Sequence, residues 1–474
     1  MRLVRLGSSF LLLVLAGVMP VRAEARREGP ADAAGMSAAG LERVDSLIMQ
    51  AVRDGATPGA ALAIGRSGQL VRLRGYGHLS WDPLSAAATD STLYDLASLT
   101  KAIGTTTVAL MLVKEGRLEL TAPVSRYLSY WPTTGRYGRV QIHHLLHHTS
   151  GLPAGVALWT KGGTRESRLA QLAKLPIRRE PGAEREYSDV GMILLGAVLE
   201  KVSGERLDVL LEQRVFRPLN LHETGFNPLR RLDAPYAVKG TDPLTVATRT
   251  AAAAAIRKLY VTTRIAPTEY DPDRGAALQG VVHDGNAAAL DGVAGHAGLF
   301  SSARDLAVLV QDILNATLGR STTLFPDGDL GKLLDDGHGA KRPLGWDIPT
   351  GPRSSSGHYF SASSFGHTGF TGTSIWIDPE QELFVVLLTN RLHPSARNQK
   401  HVALRREVHD AVQLAIIRPA PILVVDEDTA TSVKESGRTS SNVPSPTTLP
   451  DVRAVAFAGA VPWRRIFQRI FGLG

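Results

Sequence analysis

The chain reads as a mixed α/β (α+β) protein. An antiparallel sheet flanked by helices is shared by the two ends of the chain, with a mostly helical domain inserted between them. Three observations predict this. Gly59 to Ile64 and Leu70 to Tyr76 are apolar runs around a Gly-Arg-Ser-Gly turn, which reads as a β-hairpin. Ser374 to Ile377 and Leu383 to Leu388 flank Asp378-Pro379-Glu380-Gln381, a second hairpin. Between them, residues 121–340 are mostly helix and loop in pattern.

The elements follow in order. Arg2 and Arg5 precede the short apolar run Ser9 to Val18, and Val21-Arg22-Ala23 offers small residues for cleavage. This is the layout of a secretory signal peptide over residues 1–23, so the protein is expected to be exported, periplasmic or extracellular. The run is well short of a membrane span. Residues 24–37 are a flexible lead-in to a domain expected over 38–417. Leu41, Val44, Leu47, Ile48, Ala51 and Val52 keep helical spacing until Gly55 and Pro58. A helix carrying Ser98 and Lys101 should end near Gly116, although its Thr105-Thr106-Thr107 run is poor helix material. Gly191 to Val202 is an apolar helix stopped by Gly204. Residues 246–264, with five consecutive alanines, look like an insertion, and 396–417 form a last helix. Residues 418–452 change composition; the Ser, Thr and Pro of Ser436 to Pro450 predict disorder. In the amphipathic segment 453–474, Trp463, Ile466, Phe467, Ile470 and Phe471 share a face. It could contact a membrane surface, dock on its own domain or mediate assembly.

Composition excludes several classes. With 474 residues, 43% hydrophobic and 21% charged, the chain can bury a sizeable core. It has no cysteine, so no disulfide, thiolate zinc site, cysteine nucleophile or lipoprotein anchor. The net charge of +8 falls to +5 once Arg2, Arg5 and Arg22 leave with the leader. The other basic residues are scattered, without a basic patch interleaved with aromatics, so no nucleic-acid partner is expected.

Ser98-Leu99-Thr100-Lys101 carries the first chemical signal. Residues three apart on a helix share a face, so the Lys101 amine can reach the Ser98 hydroxyl. A serine hydroxyl needs a base to become a nucleophile, and lysine serves only if its pKa falls. Alone, the motif is also an ordinary helix start with a surface lysine. Tyr187-Ser188-Asp189 precedes an apolar helix. A tyrosine near an ammonium can have a lowered pKa and take the serine proton; the plain alternative is a turn and helix cap. His367-Thr368-Gly369 precedes Phe370-Thr371-Gly372-Thr373 and a strand. Its glycine would let a substrate backbone lie along an edge strand, or it is a glycine-rich strand entry.

Together, these three motifs resemble the class C β-lactamase and DD-peptidase superfamily of serine hydrolases, which uses a related Ser-x-x-Lys set. The flanking Leu145 to Pro153, Tyr187 to Leu195 and His367 to Thr373 extend the likeness. The stretches Ala266 to Glu269 and His283 to Phe300 resemble the penicillin-binding protein 4B-like branch of DD-carboxypeptidases or esterases. The resemblance implies a β-lactamase/DD-peptidase-like fold and a set of roles. Ser98 would be acylated, Lys101 and Tyr187 would share general-base work, and the backbone N–H groups of Ser98 and Phe370 would form the oxyanion hole. Asp189, His367, Thr368 and Gly369 would face substrate, and neither metal nor cofactor is needed. Two positions depart from the β-lactamase pattern. Asp189 replaces a common asparagine and can only accept when ionised. His367 replaces a common lysine and is mostly neutral at pH 7. The expected substrates are D-Ala-D-Ala-like peptides or small esters, with weak β-lactam hydrolysis third.

Two rivals remain. His143, His144, His147 and His148 make two pairs at i,i+4, a spacing that can bind zinc, but opposite helix faces cannot converge on one ion. A non-catalytic penicillin-binding or wall-fragment sensor is the other; retention of Ser98, Lys101 and Tyr187 argues against it.

Overall fold

The computed structural model describes residues 27–233, 254–255, 257–335 and 342–418. The expected leader, the linker beyond residue 418, the amphipathic segment 453–474 and most of the alanine run lie outside the described residues.

A five-stranded antiparallel sheet has the spatial order Gln69–Gly77, Gly59–Arg66, Leu383–Thr389, Ser374–Asp378, Phe365–Thr368. Its first two strands are β1 (Gly59–Arg66) and β2 (Gln69–Gly77). The others are β8 (Phe365–Thr368), β9 (Ser374–Asp378) and β10 (Leu383–Thr389). Both expected hairpins form. Ser67 and Gly68 both take positive φ, 49° and 76°, the conformation that a two-residue hairpin turn with right-handed twist requires. The two ends of the chain meet where β1 pairs with β10, from Ala60 opposite Thr389 to Arg66 opposite Leu383.

The central strands are buried on both faces, so they read as continuous apolar runs rather than as an alternation. Ala60, Leu62, Ile64, Val385 and Leu387 pack against the helices Ala38–Arg53 and His401–Leu414. Ala61, Ala63, Phe384, Val386 and Leu388 face the other way, into the core that contains the helix Ala303–Thr317 and the inserted helical part. The sheet therefore separates two cores.

Smaller strands serve the site. β3 (Tyr94–Asp95), β4 (Gly225–Phe226) and β7 (Leu299–Ser301) form a sheet of order β3-β7-β4. β5 (Tyr270–Asp271) and β6 (Ala276–Ala277) pair as a ribbon.

The helix Asp189–Ser203 begins on Ser188, whose Oγ accepts from Gly191 N at 3.0 Å, and ends at Gly204. Two expectations are corrected. The helix after Ser98 is not α throughout: Thr100–Thr106 is a π-helix, and only Thr107–Lys114 is α. Its threonines bond outside the helix ladder, Thr105 Oγ1 donating to Gly295 O at 2.7 Å and Thr100 Oγ1 accepting from Leu299 N at 3.2 Å. Such wide turns concentrate at functional sites. The last helix starts at His401 rather than 396. The Arg391 guanidinium already takes the carbonyls of Ala396 and Asn398, at 2.8 and 3.1 Å, holding that stretch out of the helix.

Candidate active site

β3 delivers the chain to Ala97, at a positive φ of 46°. The buried Asp95 holds this strained turn: Oδ1 accepts from Ala97 N at 2.9 Å and Oδ2 from His283 N at 2.7 Å. Ser98 follows, at the mouth of the π-helix.

Lys101 is fully buried. Its Nζ donates to Ser98 Oγ at 2.8 Å and to His296 O at 3.0 Å, and lies 2.7 Å from Asp189 Oδ1. The Tyr187 hydroxyl lies against Ser98 and Lys101, and the ammonium sits 5.0 Å from the phenol centroid. Burial lowers the Lys101 pKa, but Tyr187 and Asp189 outweigh it and the net direction is up. Burial raises the Tyr187 pKa, and Asp189 adds to that against the pull of Lys101. Both directions are opposite to the sequence expectation. A buried phenol and a carboxylate on the ammonium keep the resting pair fully protonated, as phenol and ammonium. Asp189, expected to face substrate, is engaged with Lys101 and keeps part of its side chain exposed.

The Tyr187 ring is backed by His148, with centroids 4.6 Å apart, and His148 Nδ1 accepts from Ser188 N at 3.1 Å. Burial, then Lys101, holds His148 well below its ordinary pKa, so it stays neutral. The rest of the histidine run does other work: His143 Nε2 bonds Gln141 Oε1 at 2.8 Å, and His144 Nδ1 accepts from Gln141 N at 3.1 Å. Among the described residues, the trio with ligand atoms close enough to share a metal ion is Asp189, Asp284 and His296, within 4.8 Å of one another. The Lys101 ammonium already supplies a positive charge there. His296 Nε2 bonds Asp284 Oδ1 at 2.8 Å.

The opposite wall is the turn between β8 and β9. His367 pairs with Ile375 and Thr368 with Ser374 on this edge. His367 Nδ1 lies 2.9 Å from Thr368 O; a carbonyl only accepts, so Nδ1 carries the hydrogen. Burial drives the His367 pKa down to about 4, which makes it neutral at pH 7, and its ring centroid is 6.0 Å from that of Tyr187. Gly369 is required by close approach: a Cβ there would stand 2.5 Å from Leu96 O. Thr371 Oγ1 donates to Asp95 O at 2.6 Å and Thr373 Oγ1 to Leu96 O at 3.1 Å, so this turn is bolted to the strand that carries Ser98. Among the described residues, the N–H groups of Ser98 and Phe370 have no protein acceptor. Both are free to donate to a bound group.

Sequence reasoning missed Asp95, Asp284, His296, Arg391 and Arg405. Asp284 and His296 lie in the stretch quoted for the resemblance, so their signal was present without a role. The arginines carried no local signal.

A cavity of about 600 Å³ adjoins the site, lined by Trp159, Tyr270, Glu269 and His283 among others. His283 borders Phe370, with ring centroids 5.8 Å apart.

The family model described as Beta-lactamase matches residues 44–410. A Bacillus subtilis protein named "N-acetylmuramyl-L-alanine amidase" is 33% identical over 389 residues, covering 77% of this chain and 83% of that one. An Escherichia coli K12 protein named "Putative D-alanyl-D-alanine carboxypeptidase" is 32% identical, covering 82% and 92%. Among solved structures, EstCE1, a hydrolase with promiscuous acyltransferase activity, superposes with TM-score 0.58 at 23% identity, over 79% of this chain and 98% of its own. The β-lactamase/D-alanine carboxypeptidase from Pseudomonas syringae does so at 0.55 and 21%, over 79% and 99%. At these identities the two structures establish a shared fold.

Proposed function

The chain belongs to the β-lactamase family of serine hydrolases, and on that premise we propose that it works through an acyl-enzyme on Ser98, cleaving D-Ala-D-Ala-like wall peptides or small esters. The observation that carries this reading is the 2.8 Å bond from Lys101 Nζ to Ser98 Oγ, with Tyr187 against both. Ser98 Oγ attacks the acyl carbonyl and its proton passes to the Lys101–Tyr187 pair. The charge on the carbonyl oxygen is met by the Ser98 and Phe370 N–H groups. The pair returns the proton to the leaving amine or alcohol, and water then releases the acid. The base form of the pair has one proton fewer than the resting form, so it becomes more populated as pH rises. A neutral His367 offers no fixed charge to a substrate carboxylate, which D-Ala-D-Ala peptides and β-lactams both carry, so this feature supports small esters most directly. The leader-like residues 1–23 support action in the cell envelope.

A second substrate, the amide between a muramyl sugar and L-alanine, is favoured by the name of the Bacillus subtilis relative and by the aromatic-walled cavity beside Phe370. The same catalytic groups would serve it.

Intact-mass spectrometry tests both. Wild-type protein is mixed with a fluorophosphonate, a penicillin, a D-Ala-D-Ala peptide and a muramyl-L-alanine peptide, each beside Ser98→Ala. We expect fluorophosphonate labelling and peptide turnover by wild type, and neither by Ser98→Ala. Turnover by Ser98→Ala refutes the mechanism. Stoichiometric labelling without turnover of any ester, amide or peptide would make the protein a sensor.

A further inference from the structure

The turn from Gly369 to Thr373 has an unusual underside. Arg405, on the helix His401–Leu414, donates from Nη2 to Gly369 O and Thr373 O, both at 2.7 Å, and from Nε to Gly372 O at 3.3 Å. Arg391 donates from Nε to Phe370 O at 2.9 Å and from its backbone N to Thr371 O at 3.1 Å, and its guanidinium lies 4.4 Å from the Phe370 ring centroid. Every carbonyl of the turn is thus bound by one of two arginines. Both arginines are buried, and among the described residues neither is salt-bridged to a carboxylate. Arg391 has the Glu269 carboxylate near enough to offset part of its burial, whereas Arg405 has carbonyls as its partners, and a buried cation held by carbonyls alone is costly and calls for a reason.

Peptide geometry supplies one. Gly369 C=O and Phe370 N–H belong to a single trans peptide unit, in which they point in opposite directions. Arg405 on the carbonyl fixes where the N–H points and polarises it, because hydrogen bonds in a chain strengthen one another. We propose that Arg405 is a positioning residue for the oxyanion hole, aiming and polarising the Phe370 N–H through the Gly369 carbonyl, with Arg391 securing the next carbonyl. This rests on the proposed acyl-enzyme reading. Burial and the nearby Arg391 lower the Arg405 pKa only to about 9, so the charge is present at pH 7.

The test uses full-length protein, p-nitrophenyl acetate carrying a ¹³C carbonyl, and the variants Arg405→Met and Arg405→Lys. Infrared difference spectra read the acyl-enzyme carbonyl, whose stretch falls as oxyanion-hole hydrogen bonds strengthen. We expect Arg405→Met to remain acylated at Ser98 with its carbonyl stretch moved to higher frequency. Its kcat should fall roughly 10- to 100-fold with KM little changed, somewhat less than for outright loss of an oxyanion donor. Affinity for phenylboronic acid should fall in step with kcat/KM, and Arg405→Lys should recover part of each effect. Folded variants with an unshifted carbonyl and kcat within twofold of wild type would overturn the proposal. So would loss of the native thermal melt in both variants, which would make Arg405 a fold anchor. A wild-type protein that is not acylated at Ser98 would instead refute the reading on which this one rests.

Discussion

The two walls of the site are built on opposite electrostatic plans. On the wall of Ser98, Lys101 and Tyr187, charge is compensated at short range. The Lys101 ammonium meets Asp189 at 2.7 Å, and His296 meets Asp284 at 2.8 Å. On the wall of the 369–373 turn, two buried guanidinium groups bind the turn's carbonyls, and Arg391 also lies against the Phe370 ring. In the proposed mechanism the first wall moves a proton, and its groups sit where a proton has more than one place to go. In the same mechanism the second holds a developing negative charge, and arginine, which keeps its proton at neutral pH, stands behind its donors.

The largest test removes the proton-handling wall. Lys101→Met should lower kcat by about 10³- to 10⁴-fold on an activated ester, near the upper range for loss of an acid–base group. A loss under tenfold would move the base to another residue. The second wall should fail with acid instead. Burial, then Arg405, holds His401 down to about 3; burial drives His409 down to about 4, and Arg405 adds to it. Their unfolded value is near 6.5. A histidine with a depressed folded pKa adds stability that is full above pH 6.5 and is lost as pH falls through the folded value. Thermal melts should therefore drop between about pH 6.5 and pH 3–4. His409 accounts for up to about 3 kcal/mol of this, and His409→Gln should flatten the slope. The bolt between the walls can be loosened alone. Thr373→Val removes the bond to Leu96 O and should cost about 1–2 kcal/mol in urea unfolding. The finest effect is a displacement. Because Asp189 raises both Lys101 and Tyr187, Asp189→Asn should move the acid limb of the kcat/KM–pH profile to lower pH. A limb that stays put would place the controlling proton elsewhere.

Legibility followed the same division. The hairpins, the helix stopped by Gly204 and the pairing of Ser98 with Lys101 were readable from local spacing, and Tyr187 joined them through the resemblance that the short motifs carry. The engagement of Asp189 was not readable. Spacing two positions from Tyr187 does not show contact with Lys101, which arises from packing of the helix Asp189–Ser203 against the π-helix. His148 looked like half of a metal pair because i,i+4 spacing ignores the positive φ of 58° that turns its ring toward Tyr187.

The amino-acid sequence by itself determined which groups are available: one Ser-x-x-Lys, a tyrosine ahead of a capped helix, a glycine turn between strands. Those features depend on a few adjacent residues, and their physics is local. The protonation of the site was decided only by tertiary structure. Lys101 is raised, against its burial, by Tyr187 and by a carboxylate 88 residues beyond it in the sequence, and Tyr187 is raised by burial and by the same carboxylate. Electrostatic effects depend on distance through space and on exclusion of water, neither of which is written in the order of residues. The two arginines behind the 369–373 turn are the clearest case, ordinary as letters and placed only when the last helix closes over the sheet.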